Sequence, residues 1–343
     1  RTRYVLPVLL VATLLHIGLR LQHKTLHWET KKLVGLIVGF IAILATARVS
    51  YKYFRFESGL AQYWDFGQFL QATFNLSHSG TPWVTFEGRP VDYFSLHRSL
   101  SAHVEAWIYS WVGDPSALWA WQTFWLFVPA LVIALIAIDA TREFRSPLRQ
   151  VIQTLAPATW ILSPVFSGQF LWSYNFHIAG VSALLLSVFF FERRHLLGWL
   201  ICLTLATLEK QEFGLYAGSF GGVVLFETWR TRDRSATVAA LAVALIGFGG
   251  FATSTFIPSD FNRSEVYFGH PDLTSVVVHA FTHPFETVGR LVQLRVIKLL
   301  AFSILISGVW MAPTRKGLRY LAIPLPLIFA YALGNYEPLT NIR

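Results

Sequence analysis

The sequence predicts an all-helical integral membrane bundle of nine or ten spans, and three observations carry that expectation. Of the 343 residues, 54% are apolar and only 14% are charged, against roughly 25% charged in an ordinary soluble domain. Aromatic residues reach 16%, with 29 Phe and 13 Trp, and the mean hydropathy is +0.48. Basic residues recur in short loops between long apolar runs. A water-soluble globule lacks the polar residues to cover such runs. The composition therefore excludes a soluble enzyme, a disordered tail and a disulfide scaffold.

A helix needs about 20 apolar residues to cross ~30 Å of hydrocarbon. The candidates in order are Val5–Leu21, Leu33–Val49, Leu118–Ile138, Val151–Phe166, Ile178–Phe191, Leu196–Leu208, Phe213–Phe226, Ala236–Ile257 and Val296–Met311. A tenth, Tyr320–Leu333, is shorter and broken by Pro324 and Pro326. The runs between 178 and 226 are short enough to tilt, kink or re-enter. Residues 1–32 read as an extra N-terminal transmembrane helix with its loop, and 33–343 as the membrane domain.

Lys24, Lys31 and Lys32; Arg142, Arg145 and Arg149; Arg193 and Arg194; Arg230, Arg232 and Arg234; and Arg315, Lys316 and Arg319 occupy alternate loops. By the positive-inside rule these loops are cytoplasmic, and the chain sits in the cytoplasmic (inner) membrane. The loops between them, 51–117 above all, are poorer in basic residues and face the exterior or periplasm. The net charge of +9 is thus a signal of topology. No basic face suited to nucleic acid emerges. Cys202, the single cysteine, lies in an apolar run, which excludes an intrachain disulfide and offers no zinc motif.

The polar residues sort by side. Asp65, Asp92, His97, Asn175, His177, Glu209, Lys210, Glu212, Arg295, Lys298, Asn335 and Glu337 all fall on or near the exterior set. A working site belongs on that side. The loop 51–117 is too long for a plain connector and too aromatic for disorder. In Gln62–Leu76, Phe66, Phe69, Leu70 and Phe74 fall at helical spacing, with Asp65 and Gln68 on the other side. In His97–Val112, Leu100, Val104, Trp107, Ile108 and Trp111 form a second amphipathic pattern suited to a membrane surface. Between them, Ser79–Pro90 reads as turns. Ser275–Leu291 reads as a third interfacial helix. Gly214, Gly218 and Gly222, and likewise Gly35 and Gly39, recur at four-residue spacing and predict close helix packing.

Several stretches, in order, resemble a family of prokaryotic membrane proteins, the domain of unknown function 2079. Trp64-Asp65-Phe66-Gly67-Gln68-Phe69 resembles its Asp-Leu-Gly-Ile-Phe-Asp-Gln segment, and Asp92-Tyr93-Phe94-Ser95 its Asp-His-Phe-Ser. Asn175-Phe176-His177 resembles Asp-Phe-His-Pro-Glu, and Lys210-Gln211-Glu212 resembles Lys-Glu-Asp. Asn335-Tyr336-Glu337-Pro338 falls where the family has a polar helix end. The likeness runs from about Leu33 to the end. It departs at Asn175, Ile178-Ala179, Tyr93 and Gln211, where family carboxylates and a histidine are replaced.

The resemblance implies a fold similar to that of the C-type glycosyltransferases, whose donor is usually a polyprenyl-phosphate sugar. It then implies Asp65 as general base or as ligand of a divalent cation (Mg or Mn), with Asp92 and His97 beside it. Lys210, Arg295 and Lys298 would bind a lipid phosphate, supported by Asn175, His177 and Glu212. The implied partners are membrane lipids, a lipid-linked sugar and other membrane subunits, and no nucleic acid. The plain readings stand beside these: Asp65 capping a helix, Asp92 closing a turn, His177 at a helix start, Lys210 paired with its neighbouring glutamates, Arg295 and Lys298 snorkelling. The lost carboxylates make a non-catalytic structural or assembly subunit the alternative.

Overall fold

The computed structural model describes residues 28–59, 64–86, 88–96, 99–144, 146–171, 177–256 and 273–293, with single positions at 297, 320, 323, 325 and 326. It is mostly helical. Contacts divide the chain into two compact units, one of Arg1–Phe94 with Leu100–Arg194, the other of Ser95–Ser99 with His195–Arg343.

In the first unit, helix α1 (Trp28–Glu57) is 30 residues long, roughly 45 Å. It does not stop at Val49 as the apolar run suggested. Nothing between Tyr51 and Glu57 breaks a helix, and the chain turns only at Gly59, whose φ of +68° supplies the left-handed cap. The exterior loop therefore begins seven residues later than its sequence reading, after Glu57.

That loop is a small folded module. Helix α2 (Trp64–Ser79) is followed by strands β1 (Trp83–Phe86) and β2 (Arg89–Asp92), then by the short α3 (Tyr93–Leu96) and by α4 (Ala102–Val112). The strands pair antiparallel from Trp83↔Asp92 to Phe86↔Arg89, and Gly88, at φ +78°, makes the reversal. The stretch expected to be turns is thus a β-hairpin. Its free edge is covered by two side-chain amides one helical turn apart on α2. Gln71 Oε1 accepts from Thr85 N at 3.0 Å, and Asn75 Nδ2 donates to Trp83 O at 2.5 Å. An edge so covered presents fewer unpaired groups to another chain.

The core of the module holds Phe66, Phe69, Ala72, Val84 and Tyr93, all buried. Gln68 is buried with them rather than on an outer face, and Phe74 is exposed, so the expected sidedness of α2 is corrected. Helix α4 is inside out by the standards of a soluble helix. Ala102, Glu105, Ala106 and Tyr109 face inward, while Leu100, Val104, Trp107 and Trp111 lie exposed. That outward apolar stripe suits a lipid surface.

Helix α5 (Ser116–Ala140) packs Leu126, Phe127 and Ala130 against Ile41 and Ala45 of α1. The run expected to form one span at 151–166 forms two helices, α6 (Ser146–Ile161) and α7 (Pro164–Leu171). The break falls where Pro164 forces Ser163 out of helical conformation. Ser163 Oγ then caps the second helix by accepting from Phe166 N at 3.0 Å. Helix α8 (His177–Glu192) packs Phe189 against Val128 and Val132.

The second unit contains α9 (Leu196–Glu209), α10 (Gln211–Thr231), α11 (Arg234–Phe256), α12 (Leu273–Thr282) and α13 (Pro284–Leu291). Helices α10 and α11 approach backbone to backbone. A Cβ added at Gly247 would lie 2.2 Å from Gly218 N and 2.6 Å from Gly214 O. The third glycine of this contact is Gly221, where a Cβ would meet Ala244 N at 2.5 Å. Gly222, Gly35 and Gly39 have open space instead, which corrects their expected packing role.

Among the described residues three helices are long and apolar enough to cross a membrane: Gly35–Glu57, Ser116–Ala140 and Arg234–Thr253. Ile178–Glu192 and Leu196–Glu209 are apolar but shorter. The candidate span Val5–Leu21, all of Val296–Met311 but Ile297, and most of Tyr320–Leu333 lie outside the described residues. The expected third interfacial helix is two helices, α12 and α13.

Candidate functional site

Two cations sit on one face of α1, a helical turn apart. Arg48 is 0% exposed and Lys52 4%. Burying charge in a low-dielectric interior is expensive unless polar groups are aimed at it. Here they are. Arg48 Nε donates to Phe170 O at 3.2 Å, Nη1 to Trp119 O at 3.5 Å and to Thr123 Oγ1, and Nη2 to Gln122 Oε1 at 2.7 Å. Lys52 Nζ donates to Leu171 O. Phe170 and Leu171 end α7, so both cations meet the carbonyls that a helix C-terminus leaves unbonded, where the helix dipole is negative.

One turn further along α1, Phe56 packs edge-on against Phe66 (6.2 Å) and Trp119 (5.5 Å), and Phe66 stacks on Trp119 at 5.3 Å. This aromatic clasp fixes the start of α2 against the ends of α1 and α5. Asp65 is the second residue of α2, immediately before Phe66. The backbone that carries Asp65 is thus held at the end of the bundle where Arg48 and Lys52 are buried. The Asp65 side chain lies outside the described residues.

The other expected site residues distribute as follows. Asp92 Oδ1 accepts from Phe94 N at 2.8 Å and so closes the hairpin onto α3, the turn role weighed for it. His177 begins α8, with its side chain outside the described residues. His97, Asn175, Arg295 and Lys298 also lie outside them. Lys210 and Glu212 are brought together, Nζ to Oε1 at 3.1 Å, with both side chains largely buried. Lys210, at φ −157° and ψ 143°, is itself the one-residue break between α9 and α10, and Glu212 is the second residue of α10. Glu209 beside them is buried. This pairing belongs to the second unit and is the ion-pair reading of Lys210.

Sequence reading missed Arg48, Lys52 and the buried Glu105 of α4. A signal was there for the first two: cations at i and i+4 closing an otherwise apolar run are rare and face a protein interior. Among the described residues no three His, Cys, Asp or Glu side chains gather to hold a metal ion.

Residues 55–343 match the family of predicted membrane proteins designated DUF2079. The chain belongs to that family. No curated protein and no solved structure matches the chain. The family match starts at 55, later than the likeness from about Leu33, so Arg48 and Lys52 precede the matched residues while Asp65, Asp92, Lys210 and Glu212 fall within them.

Proposed function

We propose that this membrane protein transfers sugar from a polyprenyl-phosphate donor at the outer face of the cytoplasmic membrane. The observation that supports this reading is the buried Arg48–Lys52 pair at the end of α1, next to the clasp from which the Asp65 helix starts. A phosphate anion on a lipid chain needs positive charge near the bilayer boundary and apolar walls beside it. Asp65 would take the acceptor hydroxyl proton as the acceptor oxygen bonds to the sugar's anomeric carbon. The bond from that carbon to the phosphate oxygen breaks, and the lipid phosphate leaves toward Lys52. A positioned base contributes on the order of 10²–10⁴-fold.

The test uses purified protein in liposomes with a radiolabelled polyprenyl-phosphate sugar. Asp65→Asn should abolish transfer while leaving thermal stability unchanged, and Lys52→Met should weaken donor binding. A second reading, a non-catalytic subunit, is favoured by Arg48, whose donors already serve neutral groups of the fold. On that reading Asp65→Asn is silent and the protein copurifies stoichiometrically with other membrane subunits.

A further inference from the structure

Helices α12 and α13 are too short to cross a membrane, roughly 15 and 12 Å. They are joined at His283, which stands before Pro284 and leaves helical conformation (φ −120°, ψ 61°) as that position requires. Across the joint two stripes keep helical spacing. Val278, Phe281, Phe285, Val288 and Val292 form one, and all are exposed, Phe281 by 83% and Phe285 by 94%. His279, His283, Glu286 and Arg290 form the other, on the opposite face.

The polar stripe is wired together and holds the two helices as a pair. His279 stacks on His283 at 4.1 Å between ring centroids. His279 Nε2 meets Glu286 Oε2 at 2.9 Å, and Arg290 Nη2 donates to Glu286 Oε1 at 2.8 Å. Thr287 Oγ1 donates across the joint to Ala280 O at 3.0 Å. The hydrogen bond from His279 holds the Glu286 carboxyl below its ordinary range. Yet α13 contains no buried residue. A helix of eight residues is not stable in water on its own propensity, so its apolar stripe needs a second phase.

We infer that α12 and α13 lie flat on the bilayer as a hinged pair, the Phe281–Phe285 stripe sunk among the lipid headgroups and upper acyl chains, the His279–Glu286–Arg290 stripe facing water. The occupant is lipid because the same chain carries spans that keep the bilayer within reach of this stripe. The wired polar face leaves Arg290 and the imidazoles level with the lipid headgroups, the arrangement that amphipathic surface helices use. A protein partner would have to compete with a solvent that is always present.

The single cysteine makes the test clean. Full-length protein carrying Cys202→Ser receives Phe285→Cys or, separately, Phe281→Cys, each labelled with an environment-sensitive fluorophore. His283→Cys serves as the water-facing comparison. Each is placed as one copy per nanodisc, in phosphatidylcholine with phosphatidylglycerol, with and without bromine near the top of the acyl chains. The labels at 281 and 285 should emit blue-shifted light and lose most of their intensity to the brominated lipid, and the label at 283 should do neither. Both positions are largely exposed, so replacing them does not threaten folding. Unquenched labels at both 281 and 285 would overturn the inference. That result, with quenching or a blue shift restored only when two copies share a disc, would assign the stripe to a second copy.

Discussion

Arg48 shows what one side chain does to this fold. Its guanidinium bonds to Phe170 O, Trp119 O, Thr123 and Gln122, so it ties α1 to the start of α5 and the end of α7 at once. Removing it leaves buried acceptors with no donor, a loss of roughly 1–3 kcal/mol for each group stranded. Arg48→Met should therefore lower stability by at least about 3 kcal/mol, read as a reduced melting temperature in detergent. Arg48→Lys should recover only part of it, because a point ammonium cannot reach four acceptors spread around a planar fork. If Arg48→Met melts with the parent protein, the residue is not the staple described. The arginine itself was legible in the sequence as a charge within an apolar run. Its partners were not, because carbonyls at 119 and 170 are brought to it only by the packing of three helices. The same limit applied to Gln68, which is buried in the fold although its polarity marked it for an outer face.

At the level of elements, the helices that were read well are those whose apolar run ends at a chemical stop. Ser116–Ala140 and Arg234–Phe256 depart from their sequence bounds by two residues or fewer at each end. The hairpin at 83–92 was misread because Gly80, Pro82, Gly88 and Pro90 all signal turns. The aromatic and β-branched run Trp83-Val84-Thr85-Phe86 was the competing signal for a strand. Glycine spacing predicted that α10 packs closely but named the wrong third residue, since a four-residue repeat drifts around a helix of 3.6 residues per turn. Gly221, not Gly222, faces Ala240 and Ala244. This makes a paired prediction. Gly247→Ala drives a methyl into Gly218 N and Gly214 O, backbone atoms that cannot step aside, and should destabilise by several kcal/mol, about the scale of overpacking a core. Gly222→Ala meets nothing within 4 Å and should leave the melting temperature level or raised. Equal effects of the two would mean that α10 and α11 do not touch where their glycines suggest.

Across the first unit, contacts sort the chain's polar groups to two ends, and this bears on the topology argued from loop charge. At one end Asp139 pairs with Arg142 at 2.7 Å and also with Arg193, whose guanidinium lies 4.0 Å over the Phe189 ring. Arg142 and Arg193 come from different loops of the basic set, so two loops assigned to one side of the membrane do meet. At the other end Arg48 and Trp119, from the ends of two expected spans, gather with Lys52 and the end of α7, which come from the loops assigned to the opposite side. Helix α5 connects the two ends in 25 residues, roughly 37 Å, which is enough to cross the hydrocarbon. The assignment of sides then reduces to one measurement on exposed positions that carry no packing role. In a Cys202→Ser background, Ser58→Cys follows the end of α1 and Glu143→Cys follows the end of α5; both positions are exposed. A membrane-impermeant maleimide added to intact cells, after permeabilising only the outer envelope, should label position 58 and spare 143. Inverted membrane vesicles should reverse the pattern. Labelling of both positions from one side would mean that α5 does not span. The Arg48–Lys52 pair and the Asp65 helix would then have no bilayer boundary at which to meet a lipid phosphate.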